Sequence, residues 1–239
     1  MAGEITRQEG ASPLGAVVTA SLAYRRRRGS PLRVVEAVAG AVLIPGDARA
    51  GIRGMLRRYA RTWAESSCPI VVSVDGDSPA ELAAAATELE GVAGVGAIEL
   101  PLPNLDVVAE SIRAVRRACA LPIWAKLAPD TPELSQAMAL AATAGATAVT
   151  IGGGLSAGLP DGTHGFLVGP ATLPVILAAV QRAAAEAPLP LIANGGVATP
   201  DDARAYLRAG ATAVQVGSAQ LADPRAAFRV AGAFRPADA

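Results

Sequence analysis

Two short glycine segments near the C-terminal end of the chain are suited to binding an anion through their backbone. Asn194-Gly195-Gly196-Val197 follows a predicted strand at 191–193, and Gly217-Ser218-Ala219 follows the next predicted strand at 213–216. Glycine lets backbone N–H groups approach a phosphate closely, and the start of the following helix adds partial positive charge. The sequence therefore predicts a phosphate site formed by Asn194, Gly195, Gly196, Gly217 and Ser218. A pair of tight turns without a ligand is the alternative.

Lys126 is the only lysine among the 21 basic residues, the others being arginine. A compact ammonium group differs physically from the planar arginine fork, so a lysine in such a background is a candidate for a role that arginine cannot fill. It lies near the end of a predicted strand and shares a face with Trp124. A buried lysine needs an anion, a cofactor or a carboxylate. An ion pair with Glu99, on a neighbouring strand, is the purely structural interpretation.

His164 is the only histidine of the chain, and it lies in a long glycine-rich segment at 151–170. A long loop after a strand is a candidate lid over an active site. The histidine is then a weak candidate for catalytic proton transfer, with a solvated surface imidazole as the alternative. The sequence offers no Ser-His-Asp or Cys-His arrangement and no ligand spacing typical of a metal site.

The elements that would position these residues alternate along the chain. Short apolar runs, typical of strands buried on both faces, are separated by alanine-rich helical segments. The hexapeptide AGATAV occurs at 144–149 and again at 209–214, as expected for repeated βα units. We predict one α/β domain over residues 1–239 with a (β/α)8 TIM barrel fold. A doubly wound sheet is disfavoured because the glycine segments follow late strands. The predicted strands are 16–20, 70–74, 97–100, 123–127, 148–151, 191–193 and 213–216.

Composition limits the classes of partner. The net charge is zero, which argues against binding nucleic acid through bulk electrostatics. No apolar run is long enough to span a membrane, and the polar N-terminus does not resemble a signal peptide, so we expect a cytoplasmic protein. Cys68 and Cys119 are too isolated for a metal site and are expected to be buried. The run Arg25–Arg28 is either a solvated loop or an anion contact.

From Gly15 to Phe228 the sequence resembles the flavin-dependent dihydroorotate dehydrogenases. The residues at 15–19 are similar to the family's second strand, and those at 126–129 to its flavin-binding lysine segment. The glycine pairs at 195–196 and 217–218 match those that hold the FMN phosphate. The resemblance implies a TIM barrel that binds FMN. Lys126 would lie beside the isoalloxazine ring, where a fixed cation stabilises negative charge on the reduced flavin.

The sequence also departs from the family pattern on the substrate side. The family's fourth strand runs into an Asn-x-Ser-Cys/Ser-Pro-Asn segment that supplies the general base, whereas this chain has Pro101 and Leu102 there. Neither side chain can accept a proton. The lysine expected after the second strand is Ala20, and glycines 152–154 replace an asparagine after the sixth strand. Asn104 alone remains as a candidate substrate contact.

The family's first strand has no counterpart in the sequence. The expected barrel therefore lacks or replaces that strand, and the segment 41–44, the N-terminal residues or a partner chain could fill the gap. An open barrel would expose strand edges, which proteins normally cover. We accordingly expect a homo-oligomer or a partner subunit.

Three hypotheses for function follow. The first is a diverged FMN-dependent oxidoreductase acting on a small molecule other than dihydroorotate. The second is a non-catalytic barrel paralogue or subunit that retains only a phosphate or FMN site. The third is a phosphate-substrate lyase that uses Lys126 as a Schiff-base amine.

Overall fold

The computed structural model describes residues 14–234. Its strands are β1 (Val17–Val18), β2 (Arg33–Ala37), β3 (Gly40–Ile44), β4 (Ile70–Ser73), β5 (Val95–Leu102), β6 (Ile123–Leu127), β7 (Ala148–Gly152), β8 (Leu155–Gly158), β9 (His164–Val168), β10 (Leu191–Asn194) and β11 (Ala213–Gln215). Its helices are α1 (Ile52–Ala64), α2 (Pro79–Leu89), α3 (Leu105–Ala118), α4 (Leu134–Ala144), α5 (Leu173–Ala184), α6 (Pro200–Arg208), α7 (Ala219–Ala222) and α8 (Ala226–Gly232), with a 3-10 turn at Pro170–Thr172 before α5.

Seven strands form one parallel sheet in the order β1-β4-β5-β6-β7-β10-β11. Each predicted strand segment corresponds to one of these strands, so that part of the prediction is confirmed. The order follows the chain without reversing, which excludes the doubly wound alternative, whose strand order reverses at a switch point.

The parallel sheet is curled. β5 and β11 are four steps apart in the sheet, which would separate them by about 19 Å if the sheet were flat. Yet the amide Nε2 of Gln215 on β11 donates to Oε2 of Glu99 on β5 at 2.9 Å. The two side chains therefore meet across the concave face of the sheet, as they would inside a barrel.

The opposite, convex face of the sheet is covered by helices. In α3 the buried residues Val108, Ile112 and Val115 recur at helical spacing and pack into the same core cluster as Ile98 and Leu100 of β5. The core is largely aliphatic, and it includes the two buried free cysteines, Cys68 and Cys119, as expected. No helix within residues 14–234 is both long and apolar enough to cross a bilayer.

A Ser or Thr followed by Pro predicts helix starts at Ser78, Thr131 and Thr199, and two of these three predictions are confirmed. The Ser78 side chain accepts from the Glu81 amide at the start of α2, and Thr199 and Asp202 form a capping box at the start of α6. The predicted start at Thr131 is wrong. The Thr131 amide instead closes a turn onto the carbonyl of Ala128, and α4 begins only at Leu134.

A second, antiparallel sheet has the order β2-β3-β9-β8 and corrects two expectations. The segment at 151–170 is not a free lid, because most of it is a hairpin of β8 and β9 whose second strand pairs with β3. The hairpin turns at Asp161 and Gly162, the latter at φ +81°. The segment 41–44 lies in β3 and therefore does not fill the gap in the parallel sheet.

The parallel sheet ends at β1 on one side and at β11 on the other, and within residues 14–234 these two strands do not pair. Ala213 of β11 is accordingly exposed although it belongs to the sheet. The proposal that N-terminal residues fill the gap concerns residues 1–13, which lie outside the described part of the chain. The parallel sheet of the described residues has seven strands, as expected for a barrel that lacks or replaces the family's first strand.

We predict that Thr199→Ala lowers the free energy of unfolding by about 1 kcal/mol, because it removes one half of the α6 capping box. Chemical denaturation with linear extrapolation would measure the change. Thr87→Ala is a suitable control, since Thr87 is exposed within α2 and bonds only to a carbonyl of its own helix. An equal loss of stability in both variants would contradict the role of the cap.

Candidate functional site

The two glycine segments lie at the carboxyl ends of β10 and β11, which are hydrogen-bonded neighbours. Among the described residues, the backbone amides of Gly195, Gly196, Gly217 and Ser218 donate no hydrogen bond to the protein. Gly196 is buried, and a buried amide without a protein partner is rare unless water or a ligand accepts from it, whereas Gly217 is exposed and its amide is accessible from solvent. The four amides form a group of donors suited to an anion, and we refer to them as the amide cradle.

The first half of the cradle requires glycine. Gly195 and Gly196 have φ values of +148° and +69°, a region that favours glycine. A side chain on Gly195 would collide with Ile176, and one on Gly196 would lie 2.7 Å from the backbone nitrogen of Leu173. The turn is held from the other side by Tyr206, whose buried hydroxyl donates to the carbonyl of Gly195 at 2.8 Å. Burial raises the pKa of Tyr206, so the hydroxyl remains a donor at neutral pH.

The second half of the cradle is open. A Cβ atom built on Gly217 would meet no heavy atom within 4 Å, and its φ lies outside the left-handed region. The protein therefore does not need glycine at this position for packing. The free space beside the Gly217 backbone is what close approach of a ligand would require.

Lys126 lies on β6 with its side chain 25% exposed, and its Nζ is 3.3 Å from Oε1 of Glu99. The Glu99 side chain is only 1% exposed. Its other oxygen, Oε2, accepts from Thr150 Oγ1 at 3.3 Å and from Gln215 Nε2 at 2.9 Å. The structural interpretation of Lys126 as the partner of Glu99 is thus present in the fold, and the exposed part of the ammonium group leaves room for a second anion.

The side chain and the carbonyl of Asn194 are both engaged within the protein, and its predicted role in cofactor binding stays a prediction. Its side-chain amide donates to Oε1 of Gln215, and its carbonyl accepts from the Gly153 amide at 2.8 Å. Asn194 therefore supports the start of the cradle from within the protein. Gln215 and Thr150 were not identified from the sequence, although a lone glutamine in the apolar strand Ala213-Val214-Gln215 was a usable signal.

Gly153 connects Lys126 to the cradle. A Cβ on Gly153 would lie 4.0 Å from Cε of Lys126, and a Cβ on Gly195 would lie 3.3 Å from the Gly153 carbonyl oxygen. The cation and the unpaired amides therefore border the same region at the carboxyl ends of β6, β7 and β10. This is the end of parallel strands at which α/β barrels carry their active sites.

Close packing explains one departure from the family pattern. A Cβ on Gly152, at φ +132°, would collide with the carbonyl of Asn194, and one on Gly154 would lie 2.5 Å from Cβ of Phe166. Neither position can carry the amide side chain that the family places after this strand without a shift of the backbone.

Pro101 and Leu102, the residues that the resemblance leads us to expect at the family's base position, carry no titratable group. Pro101 is in register with Lys126, and Leu102, the last residue of β5, is buried. β5 thus continues as a regular strand to its end.

The two weakest candidates lie at the surface. His164 is exposed at the first position of β9, opposite Gly158, and its side chain makes no hydrogen bond to the described residues. Asn104 is exposed at the start of α3, and its side chain does not cap that helix. The structure brings neither into contact with Lys126 or the cradle, and their roles stay predictions.

The arginine run is partly accounted for by ion pairs. Arg27 contacts the carboxylates of Asp77 and Glu81, each at 3.0 Å, and Arg25 lies 5.7 Å from the ring centroid of Tyr24. The remaining arginines of the run are exposed. Within residues 14–234 no cluster of His, Cys, Asp or Glu is arranged to hold a metal ion.

The dihydroorotate dehydrogenase family profile matches residues 1–233. The chain belongs to this family. A relative from Desulforudis audaxviator, named dihydroorotate dehydrogenase B (NAD(+)), catalytic subunit, is 34% identical over 91% of this chain and 78% of its own length. A relative of the same name from Citrifermentans bemidjiense is 30% identical over 91% of this chain and 79% of its own length. A crystal structure of Eimeria tenella DHODH in complex with ferulenol shares the fold, with a TM-score of 0.78 at 16% identity, over 92% of this chain and 74% of that one.

FMN is the cofactor of this family, and the residues present fit it at two points. The four unpaired amides match the needs of a phosphate, and the open space beside Gly217 allows it to approach. The partly exposed Lys126 ammonium is a cation near that site.

We predict opposite effects of alanine in the two halves of the cradle. Gly196→Ala combines a strained φ with a clash against Leu173 and should lower the free energy of unfolding by about 2–5 kcal/mol. Gly217→Ala should leave it unchanged, because its new methyl group meets open space. Parallel denaturation curves of the two variants would measure this. A marked loss of stability in Gly217→Ala would show that the space is not free.

Proposed function

We propose that this chain is an FMN-dependent oxidoreductase that acts on a small molecule other than dihydroorotate. The observation that carries the proposal is the group of four unpaired backbone amides bordering the region of Lys126. A phosphate accepts hydrogen bonds from such amides, and the positive φ of Gly196 lets the backbone turn its N–H toward the ligand. The amides of Gly195, Gly196, Gly217 and Ser218 would hold the FMN phosphate.

Lys126 would lie beside the flavin ring. When bound, FMN supplies a two-electron acceptor whose reduced ring carries negative charge. The Lys126 ammonium, fixed by its ion pair with Glu99, would stabilise that charge without reorganising. A fixed cation is more effective than a flexible one because its orientation is established before the reaction begins.

The substrate side argues against dihydroorotate. The family's general base has no counterpart, since Pro101 and Leu102 cannot accept a proton. The glycine run at 152–154 lacks the hydrogen-bonding side chain expected there, and Gly152 and Gly154 could not carry one without backbone movement. A site that lacks both would bind dihydroorotate without the groups that deprotonate and orient it. His164 is retained as a weak candidate for proton transfer, and Asn104 for a substrate contact.

The Lys126–Glu99 ion pair favours the flavin role over the Schiff-base role. A Schiff-base lysine attacks a carbonyl through a free amine, whereas the Nζ of Lys126 is engaged by the Glu99 carboxylate at 3.3 Å. The remaining alternative, a paralogue that binds FMN without turnover, shares the same site and differs only in its reactivity.

A partner subunit is part of the proposal. The relatives from Desulforudis and Citrifermentans are named as catalytic subunits, a term that implies a further subunit for those proteins. We propose that this chain, like them, works with a second subunit that passes electrons to or from its flavin. Within the described residues, the edges of β1 and β11 are unpaired, which is consistent with a contact between chains.

We expect the purified chain to show the visible absorption bands of oxidised flavin, or to acquire them when titrated with FMN. Gly217→Val should abolish uptake without loss of stability, because the side chain would fill the space beside the cradle. Lys126→Ala should weaken FMN binding by about tenfold, since it removes a charged partner. Uptake that is equal in all three proteins would rule out this site as the FMN site.

We further expect dihydroorotate to leave the bound FMN oxidised under anaerobic conditions, because no base can remove its proton. Dithionite is the positive control, as it reduces flavin without the protein's help. Stopped-flow absorbance would follow the reaction. Rapid bleaching of the flavin by dihydroorotate would contradict the proposed change of substrate and would leave the FMN site itself intact.

A further inference from the structure

Glu99 is a buried carboxylate at the point where four other strands converge. It lies on β5 and accepts from Lys126 of β6, Thr150 of β7 and Gln215 of β11. Gln215 in turn accepts from Asn194 of β10. Three donors satisfy the carboxylate, and only one of them, Lys126, carries a charge.

This network joins the two halves of the proposed FMN site. Asn194 directly precedes Gly195, and Gln215 lies two residues before Gly217. The residues at the base of both glycine segments are therefore bonded to each other and, through Glu99, to the ion pair that holds Lys126. The cradle and the cation are tied to one carboxylate.

We propose that Glu99 is a positioning residue that sets the charge Lys126 presents to the flavin, and that Gln215 ties this ion pair to the amide cradle. The inference rests on the proposed FMN binding and goes beyond it by assigning roles to two residues that do not line the cradle. Glu99 offsets the Lys126 charge and so keeps the flavin less oxidising than an unbalanced lysine would make it.

A structural role alone does not explain why this position carries a charge. Burying an ion pair is costly, and apolar residues of similar size would often stabilise such a position equally well or better. A role as the base is also excluded by position, because the carboxylate is 1% exposed and both of its oxygens are engaged. What the arrangement does achieve is a fixed Lys126 with a partly compensated charge.

Glu99→Gln tests the charge separately from the shape. The amide oxygen can still accept from Lys126, but it no longer offsets the positive charge. We expect the reduction potential of bound FMN, measured against reference dyes, to become more positive. At a given solution potential, the ratio of reduced to oxidised flavin should rise about tenfold. Glu186→Gln, at an exposed position after α5, removes the same charge away from the network and should leave the ratio unchanged.

A double variant tests whether Glu99 changes the FMN potential by offsetting the Lys126 charge or by disturbing the structure of the site. Lys126→Met combined with Glu99→Gln removes both charges and restores the net charge of the network. We expect its potential to return toward that of the unaltered chain. A double variant that stays at the value of Glu99→Gln would overturn action through Lys126.

Gln215→Leu tests the tie without changing any charge. It removes the hydrogen bonds to Glu99 and Asn194, and we expect FMN to bind about tenfold more weakly while the potential stays the same. The Gln215→Leu measurement can be made even if Glu99→Gln does not fold. Unchanged FMN affinity in Gln215→Leu would contradict the proposed role of Gln215.

An unchanged or more negative FMN potential in Glu99→Gln would contradict the proposed effect of Glu99 on the Lys126 charge. If the unaltered chain itself took up no FMN, the proposed function would fall together with this inference, a result distinct from the other two.

Discussion

The structure of the site depends on one buried carboxylate and its three donors. Glu99 can remain buried only if Lys126, Thr150 and Gln215 reach it, because an unpaired buried charge costs several kcal/mol. These donors come from β6, β7 and β11, so the requirement can be met only when the parallel sheet is curled. The same contact that satisfies the charge therefore constrains the curvature of the barrel and fixes Lys126 at its mouth.

Backbone packing at the ends of β7 and β10 affects the cofactor side and the substrate side of the proposed site differently. Gly152 and Gly153 approach the carbonyl of Asn194 so closely that the ends of the two strands support each other. This contact stabilises the turn that begins at Gly195 and so preserves the cofactor side. It also leaves no room for a side chain on Gly152. This arrangement supports the proposal of an FMN site that lacks the groups expected to recognise dihydroorotate.

The sequence alone predicted the elements whose signals are local. The strands of the parallel sheet are short apolar runs, and the caps at Ser78 and Thr199 lie within three residues of the amides they bind. The second sheet was missed because its strands are half exposed and because β3 pairs with β9, more than a hundred residues later. Gln215 was missed for the same reason, since its partner Glu99 is 116 residues away. Glu99 itself was found, because a single lysine called for a carboxylate on a neighbouring strand.

The network also accounts for how β11 is held. Its backbone pairs only with β10, over three residues, and within the described chain its other edge is free. A strand so weakly paired at the end of a sheet would be prone to separate, and Gly217 and Ser218 would move with it. The bond from Gln215 to Glu99 crosses the concave face and joins β11 to a strand four places away. It thereby replaces part of the restraint that an eighth strand would supply, and it acts two residues from the amide cradle, the proposed phosphate site.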